Sequence, residues 1–517
     1  MKTYDPIKVY DARWETDEFS ENEIQRLFEA SLIYGRELGV DTITITRDGR
    51  LGCARVMEIG LETARKAGFR VYCCTDPIST PQSYFTALWV TREHPQTFGF
   101  TITASHNPAK YVGLKFTVPV VQAIGLDCGP LGGLRRIREI YHSREKLPAA
   151  GNSSLNLVNL TDEYIRFSMH AAGIGKGSLN HIKLVLDSFN GSAGSELYRT
   201  LMAAGVEVYP LKLVPDGYFP AGSPNPTSIG KMNDALRYAA ELEGALVIGV
   251  DGDGDRIVFV DGKGILNAGF AAIPVIKSFV SCSSSEPCTA LYGSAFGTSC
   301  SSAASANRVL YDPKVNPLAL AEWGKLNLHP VLFRNGHSQI KDYMQQINAC
   351  MAAEESGHYY HRMSLDGLTI NAENSLLTIL LFLKVVTVAP GFMDNLFEMQ
   401  SRVFSTGEIN YQFENDDIRD RALNAILKSY KDDNVSIITA TEDGIDLQGT
   451  QFSKGVSIKP GNVTVAKGWY SGYIRPATNE KGVVRLFLST GDSEQRKILE
   501  GNARLLMEKT FGGKPID

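Results

Sequence analysis

The sequence predicts an α/β protein made of consecutive domains, and three observations support that prediction. Short apolar runs that resemble strands alternate with helical patterns of roughly ten to eighteen residues, as in α/β architectures. The alternation begins three times, near 42–46, 182–186 and 289–293. The last quarter differs, because two strand patterns, at 436–439 and 483–488, follow one helix and indicate an α+β unit.

The first domain shows the alternation most clearly. Residues 20–23 (Ser-Glu-Asn-Glu) form a capping box, in which a hydroxyl and a carboxylate satisfy free backbone amides at a helix start. Apolar residues at helical spacing follow, and Gly39 suits the helix end. A strand at 42–46, a helix at 53–66 and a strand at 69–74 come next.

Composition and charge exclude several classes of protein. The formal net charge of -5 excludes a general basic surface for nucleic acid. No apolar run reaches the roughly 20 residues that span a bilayer, and the N-terminus lacks the apolar segment of a signal peptide. The 8 cysteines form no Cys-x-x-Cys pair, which favours reduced thiols. We therefore expect a cytoplasmic monomer or dimer without nucleic-acid or membrane partners.

Four polar loops each follow a short apolar strand, and they divide the chain. A chain of 517 residues is too long for one compact core, and the loops lie roughly one domain length apart. Ligands of α/β sheets bind beyond the carboxyl ends of the strands, so the loops can meet at one central cleft. The loops are 103–108, 251–256, 354–358 and 475–480. The predicted domains are 1–160, 161–265, 266–390 and 391–517.

The second loop is the strongest local signal for chemistry. Its alternating carboxylates, Asp251, Asp253 and Asp255, supply the hard oxygen ligands that Mg²⁺ prefers. A calcium EF-hand is excluded, because Arg256 and Gly262 occupy its glycine and glutamate positions. A solvated acidic turn stays open as an alternative, although three close carboxylates repel each other unless neutralised. The guanidinium of Arg256 would suit a phosphate near the metal.

Ser105, in the first loop, is a candidate phosphate acceptor, because a serine hydroxyl beside a divalent cation can act as a nucleophile. His106 adjoins it, and Pro108 restricts the loop. A simple turn is the alternative, since Ser-His-Asn-Pro is common turn composition. A Ser-His-Asp hydrolase is disfavoured, because no Gly-x-Ser-x-Gly elbow surrounds this serine. Lys115 is either a proton carrier between apolar neighbours or an ordinary solvated charge.

The third and fourth loops offer groups for a phosphorylated sugar. Glu354 and Ser356 provide an acceptor and a hydroxyl for neighbouring sugar hydroxyls, and His358 is able to titrate near neutrality. A second histidine, His337, precedes a helical stretch at 339–346. For either histidine alone, a structural role is the commoner outcome. The fourth loop supplies three groups that suit a phosphate, namely the guanidinium of Arg475, the hydroxyl of Thr478 and the amide of Asn479.

Together these motifs resemble those of the α-D-phosphohexomutase superfamily, which includes phosphoglucomutase, phosphomannomutase and phosphoglucosamine mutase. The resemblance rests on 103–108, on 251–256 and on 354–358, in this order and spacing, and it covers essentially the whole chain. The segments 10–13 (Tyr-Asp-Ala-Arg) and 47–50 (Arg-Asp-Gly-Arg) are similar to two further family motifs. The resemblance implies three consecutive mixed α/β domains of similar topology and a smaller, mobile α+β domain, arranged around a central cleft.

The resemblance also implies a role for each candidate residue. The Mg²⁺ site would comprise Ser105, Asp251, Asp253 and Asp255. The catalytic groups would be the phosphorylated Ser105, the phosphoryl-facing Arg13 and Arg256, the general base Lys115 and the general acid His358. The substrate-binding groups would be Glu354, Ser356, His337, His106, Arg475, Thr478 and Asn479.

The fourth loop departs from the family pattern, which is Arg-x-Ser-Asn-Thr or Arg-x-Ser-Gly-Thr. Ala477 stands at the serine position, and Thr478 and Asn479 are in swapped order. The lost hydroxyl contact to a phosphate corresponds to about 1.5–3 kcal/mol. Because Arg475 keeps its bidentate contact, we expect altered substrate binding and not its loss.

The implied reaction interconverts hexose 1-phosphate and hexose 6-phosphate, of glucose or mannose, with Mg²⁺. Phosphorylated Ser105 would give its phosphoryl group to the sugar, and the resulting glucose 1,6-bisphosphate would turn and return the other one. Three alternatives stay open: a non-catalytic paralogue that acts as a scaffold or regulatory binder, a phosphoglucosamine mutase, and a Mg²⁺-dependent sugar phosphatase. The Gly-His-Ser at 336–338 disfavours the phosphoglucosamine mutases, which usually have Gly-Asp-Arg there.

Overall fold

The computed structural model describes most of the chain, and each of its four β-sheets takes strands from one stretch of the sequence. The predicted strand at 289–293 and the predicted ligands Thr478 and Asn479 lie outside the described residues. The described residues are 4–284, 296–297, 307–389, 391–431, 434–477 and 480–516.

The first sheet lies within residues 12–157. Its strands are β1 (Ala12–Glu15), β2 (Thr42–Arg47), β3 (Arg70–Cys73), β4 (Thr97–Ile102), β5 (Tyr111–Val118), β6 (Gln122–Ala123) and β7 (Leu155–Leu157). The helices are α1 (Glu21–Glu37), α2 (Cys53–Lys66), α3 (Thr80–Thr91) and α4 (Leu134–Ser143). The strand order is β1-β5-β4-β2-β3-β7, with β6 beside β5. The predicted capping box is confirmed, because the side chain of Ser20 accepts a hydrogen bond from the amide of Glu23.

The second sheet lies within residues 183–266. Its strands are β8 (Lys183–Asp187), β9 (Glu207–Leu211), β10 (Leu246–Val250), β11 (Ile257–Asp261) and β12 (Gly264–Leu266). The helices of this part are α5 (Thr161–Ala172), α6 (Gly194–Ala204) and α7 (Asn233–Ala240). The strand order is β12-β11-β10-β8-β9.

The third sheet lies within residues 296–373. Its strands are β13 (Phe296–Gly297), β14 (Arg308–Tyr311), β15 (His329–Leu332), β16 (Met351–Ala353), β17 (Tyr359–Leu365) and β18 (Leu368–Glu373). The helices are α8 (Ala268–Ser284), α9 (Pro317–Lys325), α10 (His337–Gln346) and α11 (Ser375–Val386). The strand order is β13-β17-β16-β14-β15, with β18 beside β17.

These three sheets repeat one arrangement, in which three parallel strands carry an antiparallel strand at one side. The repeated sets are β5-β4-β2-β3, β11-β10-β8-β9 and β17-β16-β14-β15. This repetition confirms the prediction of three mixed α/β units of similar topology. The first three polar loops hold equivalent places, since each connects the outer parallel strand to its antiparallel neighbour.

The last part of the chain is an α+β unit, as predicted. Its strands are β19 (Phe404–Gln412), β20 (Val435–Ala440), β21 (Asp446–Lys459), β22 (Asn462–Pro476), β23 (Val483–Thr490) and β24 (Lys514–Ile516), and its helices are α12 (Phe392–Gln400), α13 (Asp416–Tyr430) and α14 (Ser493–Leu505). The described strands pair antiparallel in the order β20-β21-β22-β23-β19-β24. Across the described residues, no helix is both long and apolar enough to cross a membrane.

The hydrophobic cores show how these units are joined. One continuous core takes side chains from α3, α5, α6, α8 and α11, and it therefore links the first three units. Most of the last unit has a separate core, although Leu396 and Phe397 of α12 belong to the shared one. The long hairpin of β21 and β22 reaches the third unit, where Ile458 and Val463 pack against the shared core and Gly461 donates to the carbonyl of Leu328 at 3.0 Å.

Candidate active site

Ser105 is held in a strained and buried conformation directly after β4. Its φ of 53° lies in the left-handed region that a residue with a Cβ rarely adopts. The amide of Ser105 donates to Thr103 Oγ1 at 2.9 Å, and the guanidinium of Arg50 donates hydrogen bonds to the carbonyls of Ser105 and Asn107. These contacts hold the backbone that carries the Ser105 hydroxyl in its strained conformation.

The aspartate loop after β10 is compact because glycines separate its carboxylates. At Gly254, with φ +72°, a Cβ would lie 2.4 Å from the Cβ of Ala193, and at Gly252 it would lie 2.9 Å from the carbonyl of Ser105. Only residues without a side chain let the loop fit so close to these neighbours. The result is a buried trio of carboxylates, whose oxygens lie within 4.8 Å of one another: Asp251, Asp253 and Asp255.

The first and second loops meet as predicted. Ser105 Oγ donates to Asp251 Oδ2 at 3.1 Å, although 146 positions separate the two residues in the chain. Lys115, on β5, places its Nζ 2.9 Å from Asp253 Oδ2 and 2.6 Å from Asp255 Oδ2. The lysine therefore contacts the acidic trio directly, a contact that the sequence did not predict.

Burial and mutual charge set the protonation of this cluster. Burial and the neighbouring carboxylates raise the pKa of Asp251 well above its ordinary value. Burial acts in the same direction on Asp253, but the charge and hydrogen bond of Lys115 hold its pKa below the ordinary value. Burial would lower the pKa of Lys115, yet Asp253 and Asp255 raise it, so the amine keeps its proton. The pair is thus ionised inside the protein.

The donor set fits a divalent cation of the Mg²⁺ type. Asp253 Oδ1 and Asp255 Oδ1 are buried oxygens without a hydrogen-bond partner, and an unsatisfied buried oxygen is costly unless a ligand completes it. Three carboxylates and a hydroxyl are the hard ligands that Mg²⁺ prefers. The residues that would hold the ion are those predicted, namely Ser105, Asp251, Asp253 and Asp255.

Arg256 and His358 lie beside the acidic trio. Arg256 Nε donates to His358 Nε2 at 3.0 Å and lies 3.9 Å from Asp251 Oδ2. Because a guanidinium is always a donor, the neutral ring carries its proton on Nδ1, which lies 3.7 Å from carboxylate oxygens of both Asp255 and Glu373. Burial lowers the pKa of His358 to about 3.

Arg13 and His106 lie at the loop of Ser105, and only the arginine is charged. Arg13 is paired with Asp11 at 2.8 Å, and its Nη1 donates to Asn107 Oδ1 at 3.0 Å. Burial, together with the charges of Arg256 and Arg13, lowers the pKa of His106 to about 2, so this ring is neutral. The structure therefore brings both predicted arginines next to the loop of Ser105.

The third loop presents Glu354 to the same region. Asn335 donates to Glu354 Oε1 at 3.1 Å, the amide of Gly336 donates at 3.3 Å, and the hydroxyl of Tyr360 also donates to the carboxylate. Burial and Asp312 raise the pKa of Glu354 to about 7. Ser356 is half-buried in the same turn.

His337 begins α10 and has unsatisfied polar atoms. Both ring nitrogens are buried and have no hydrogen-bond partner among the described residues. The ring meets Tyr10 edge-on, with 6.2 Å between the ring centroids. Burial lowers the pKa of His337 well below its ordinary value, so the ring offers one neutral donor and one acceptor.

Arg475 belongs to a strand and not to a loop, which corrects the position expected for it. It lies near the end of β22, opposite Arg485 of β23. Burial raises the pKa of Tyr10, and the positive charge of Arg475 acts against that rise. Tyr10 is the residue whose ring meets His337. Arg475 is therefore close enough to influence the ionisation of Tyr10.

Four contributors were missed as site residues. Thr80 Oγ1 donates to Asp253 Oδ2 at 2.5 Å, Arg50 caps the serine loop, Glu373 lies beside His358, and Asn335 holds Glu354. A local signal existed for Arg50, inside the motif at 47–50, and for Glu373, an acid directly before a buried apolar helix. Thr80 looks like an ordinary residue at a helix start.

Three family models match the chain in succession. They describe phosphoglucomutase/phosphomannomutase, alpha/beta/alpha domain I at residues 6–124, domain II at 162–264 and domain III at 291–402. The chain therefore belongs to the phosphoglucomutase/phosphomannomutase family, within the α-D-phosphohexomutase superfamily.

Curated relatives agree with this membership. The chain is 26% identical over 417 residues to the phosphohexose mutases of Xanthomonas campestris pv. campestris (strain B100), covering 79% of this chain and 83% of the relative. It is 27% identical over 379 residues to the phosphomannomutase of Escherichia coli (strain K12), covering 70% and 74%. These relatives support a phosphohexomutase reaction for the chain.

Solved structures share the fold. A phosphoglucomutase/phosphomannomutase family protein from Burkholderia thailandensis superposes with a TM-score of 0.75 at 21% identity, covering 98% of both chains. A putative phosphomannomutase from Thermus thermophilus gives 0.67 at 18% identity, covering 97% of this chain and 99% of the other. At these identities the likeness concerns the fold alone.

Proposed function

We propose that the chain is a Mg²⁺-dependent mutase that interconverts the 1- and 6-phosphates of glucose or mannose through a phosphorylated Ser105. The observation that carries the proposal is the 3.1 Å hydrogen bond between Ser105 Oγ and Asp251, within a buried trio of carboxylates. A strained serine beside a cation site is the arrangement that phosphoryl transfer to and from a hydroxyl requires.

In the proposed transfer, a sugar hydroxyl attacks the phosphorus on Ser105. The bond between that phosphorus and Ser105 Oγ breaks, a bond to the sugar oxygen forms, and the hydroxyl proton passes to a protein base. When bound, Mg²⁺ neutralises charge on the serine oxygen and the phosphoryl group. Arg256 and Arg13 add positive charge on the same side, and their fixed partners hold them in place.

Lys115 and His358 are the proposed proton carriers. Lys115 holds its proton between Asp253 and Asp255, and burial keeps the ring of His358 neutral. In these states Lys115 carries a proton and the ring of His358 does not, whereas the general base and general acid that the resemblance implies need an unprotonated amine and a protonated ring. Because a mutase transfers the group from and back to Ser105, each carrier must act in both directions over a full cycle.

The third loop and the last unit are proposed to hold the sugar phosphate. Glu354 is fixed by three donors and can accept from sugar hydroxyls, while the free ring nitrogens of His337 can bind a further oxygen. Arg475 is the proposed partner of the phosphate that is not transferred. The predicted contacts of Thr478, Asn479 and Ser356 belong to the same proposal.

A coupled assay tests the reaction. Purified protein with glucose 1-phosphate, Mg²⁺ and a trace of glucose 1,6-bisphosphate should produce glucose 6-phosphate, detected through its dehydrogenase. Parallel assays with mannose and glucosamine phosphates compare the rates and show which sugar phosphate is preferred. Absence of turnover with every hexose phosphate would reject the proposal, and steady release of inorganic phosphate would indicate a phosphatase.

Intact-mass measurement tests the covalent step separately. A population heavier by about 80 Da, the mass of one phosphoryl group, should appear after incubation with glucose 1,6-bisphosphate. Ser105→Ala should remove that population together with the activity. A protein that never carries this mass, yet binds hexose phosphates, would be the non-catalytic paralogue.

A further inference from the structure

Glu196 is a buried acidic side chain that the proposed reaction leaves without a role. It lies in the first turn of α6 and is 2% exposed. Among the described residues it forms no ion pair, and its hydrogen-bond partners are the hydroxyl and the amide of Ser79. A buried acid without a cation costs free energy, so a protein that retains one gains something from its contacts.

The contact of Glu196 joins the second unit to the start of α3 in the first unit. Ser79 Oγ donates to Glu196 Oε1 at 2.5 Å, across 117 positions in the chain. The same hydroxyl accepts from the amide of Gln82 at 3.1 Å, which makes Ser79 the N-cap of α3. Ser79 is fully buried, so water does not replace these bonds.

The residue after Ser79 holds a ligand of the proposed cation site. The amide of Thr80 donates to the carbonyl of Asp253 at 2.8 Å, and Thr80 Oγ1 donates to Asp253 Oδ2 at 2.5 Å. The aspartate loop also packs against Ser79, since a Cβ at Gly254 would lie 3.2 Å from the Cβ of Ser79. A displacement of Ser79 must therefore move Thr80 and the loop together.

We propose that Glu196 is a positioning residue for the cation site, acting through Ser79 and Thr80 on the orientation of Asp253. Thr80, Thr103 and Lys115 all bind Asp253 Oδ2, which leaves Oδ1 free for the cation. Loss of the Glu196 contact releases Ser79, loosens Thr80 and lets the carboxylate of Asp253 rotate. This inference rests on the proposed assignment of Asp253 to the cation.

Cation binding to the full chain tests the inference without relying on turnover. The dissociation constant of Mn²⁺, a paramagnetic substitute for Mg²⁺, is measured by electron paramagnetic resonance and by calorimetry. Glu196→Leu and Ser79→Ala should each weaken Mn²⁺ binding about tenfold, as loss of an outer-shell partner typically does. Glu196→Gln keeps an oxygen that accepts from Ser79 and should stay within about twofold of the wild type.

Thr200→Val is the matched control. Thr200 is buried on the same helix, and its hydroxyl donates to the backbone carbonyl of Glu196 at 2.7 Å, so this hydrogen bond stays within α6 and does not involve Ser79. It should bind Mn²⁺ like the wild type despite some loss of stability. The Mg²⁺ concentration that gives half-maximal activity should rise in parallel with the Mn²⁺ constants of the four variants.

Two results would overturn the inference. The first is a folded Glu196→Leu protein that binds Mn²⁺ with the wild-type dissociation constant. The second, which decides the case if Glu196→Leu does not fold, is an unchanged Mn²⁺ dissociation constant in Ser79→Ala. Failure of the proposed function gives a different result. In that case the wild type either does not bind Mn²⁺ or binds it with a dissociation constant that Asp251→Asn does not change. That result would remove the basis of this inference as well.

Discussion

The part of the site around Ser105 and the aspartate trio differs from the part around Glu354, His337 and Arg475. In the first part the polar side chains are buried and hold one another through short contacts such as Lys115 to Asp255 at 2.6 Å. In the second part both ring nitrogens of His337 lack a partner among the described residues. The atoms left without a partner differ in kind: in the first part they include carboxylate oxygens of Asp253 and Asp255, which suit a cation, whereas in the second part they are ring nitrogens of His337, which suit a sugar phosphate.

The same difference is visible in how the units are joined. The serine and aspartate loops belong to units that share one continuous core, so their relative position is fixed by packing. Arg475 belongs to the unit with a separate core. A unit whose main core is separate can shift without disturbing the shared core, which suits the proposed turn of a bisphosphate.

The largest expected effect is that of Asp253→Ala, which removes a proposed ligand and a partner of Lys115. Activity should fall at least about 1,000-fold, and the free energy of unfolding should fall by about 3–5 kcal/mol, because a buried ammonium loses one carboxylate. The coupled assay and urea unfolding measure both quantities. Asp234→Ala, at an exposed helix position, should change neither by much. An active, fully stable Asp253→Ala protein would contradict a preorganised cation site.

A second prediction concerns pH and uses the contact between the first two units. Burial raises the pKa of Glu196 from 4.5 in the unfolded chain to about 8. The folded protein therefore keeps a proton that the unfolded chain releases. The contribution of Glu196 to the free energy of unfolding is therefore full below pH 4.5, decreases above that pH and is lost as the pH rises through 8.

Between pH 5 and pH 9, the wild type should lose up to about 4 kcal/mol more unfolding free energy than Glu196→Gln, since each pKa unit corresponds to about 1.4 kcal/mol. Urea unfolding at pH 5, 7 and 9 measures the two curves. Parallel curves for the two proteins would show that Glu196 is ionised in the folded state.

A substitution in the part around Glu354, His337 and Arg475 should lower activity and leave the free energy of unfolding almost unchanged. His337→Asn should lower kcat/KM about 10- to 100-fold, the effect of losing one or two substrate hydrogen bonds. Unfolding free energy should change by less than about 1 kcal/mol, because the ring donates no hydrogen bond to the described protein. His142→Asn, at an exposed histidine, is the control. A large loss of stability with unchanged kinetics would make His337 a structural residue.

The smallest expected effect comes from the fourth loop. Ala477→Ser restores the hydroxyl that the family pattern has at this position and should lower KM about two- to tenfold. Ala440→Ser, on an edge strand of the same unit, should leave KM unchanged. A KM that rises or stays constant in Ala477→Ser would mean that this chain holds the phosphate differently from the family pattern.

Local patterns predicted much of the fold and the charged centre of the site. The strand at 42–46 and the helix at 53–66 follow from the alternation of apolar runs and helical patterns, and the structure confirms them. The aspartate trio was visible because three carboxylates so close in the chain repel each other unless a cation neutralises them. The predicted domain boundaries and the roles of individual site residues stay predictions.

Contacts between distant residues could not be predicted from local patterns. Thr80 meets Asp253 across 173 positions, and Glu196 meets Ser79 across 117, with no periodicity that connects either pair. The sequence predicts either a proton carrier or a solvated charge at Lys115, because nothing in its sequence neighbourhood shows that β5 points it at the aspartates. Such contacts depend on how the units pack, which only the folded structure determines.

The central claim is that Ser105 and the three aspartates share one divalent cation. A crystal grown with Mn²⁺ gives an anomalous difference map that locates the ion directly. The claim predicts one strong peak about 2.0–2.3 Å from the oxygens of Asp251, Asp253 and Asp255 and from the phosphorylated or free Ser105 oxygen. A map without a peak there, or with the ion bound only by other residues, would contradict it.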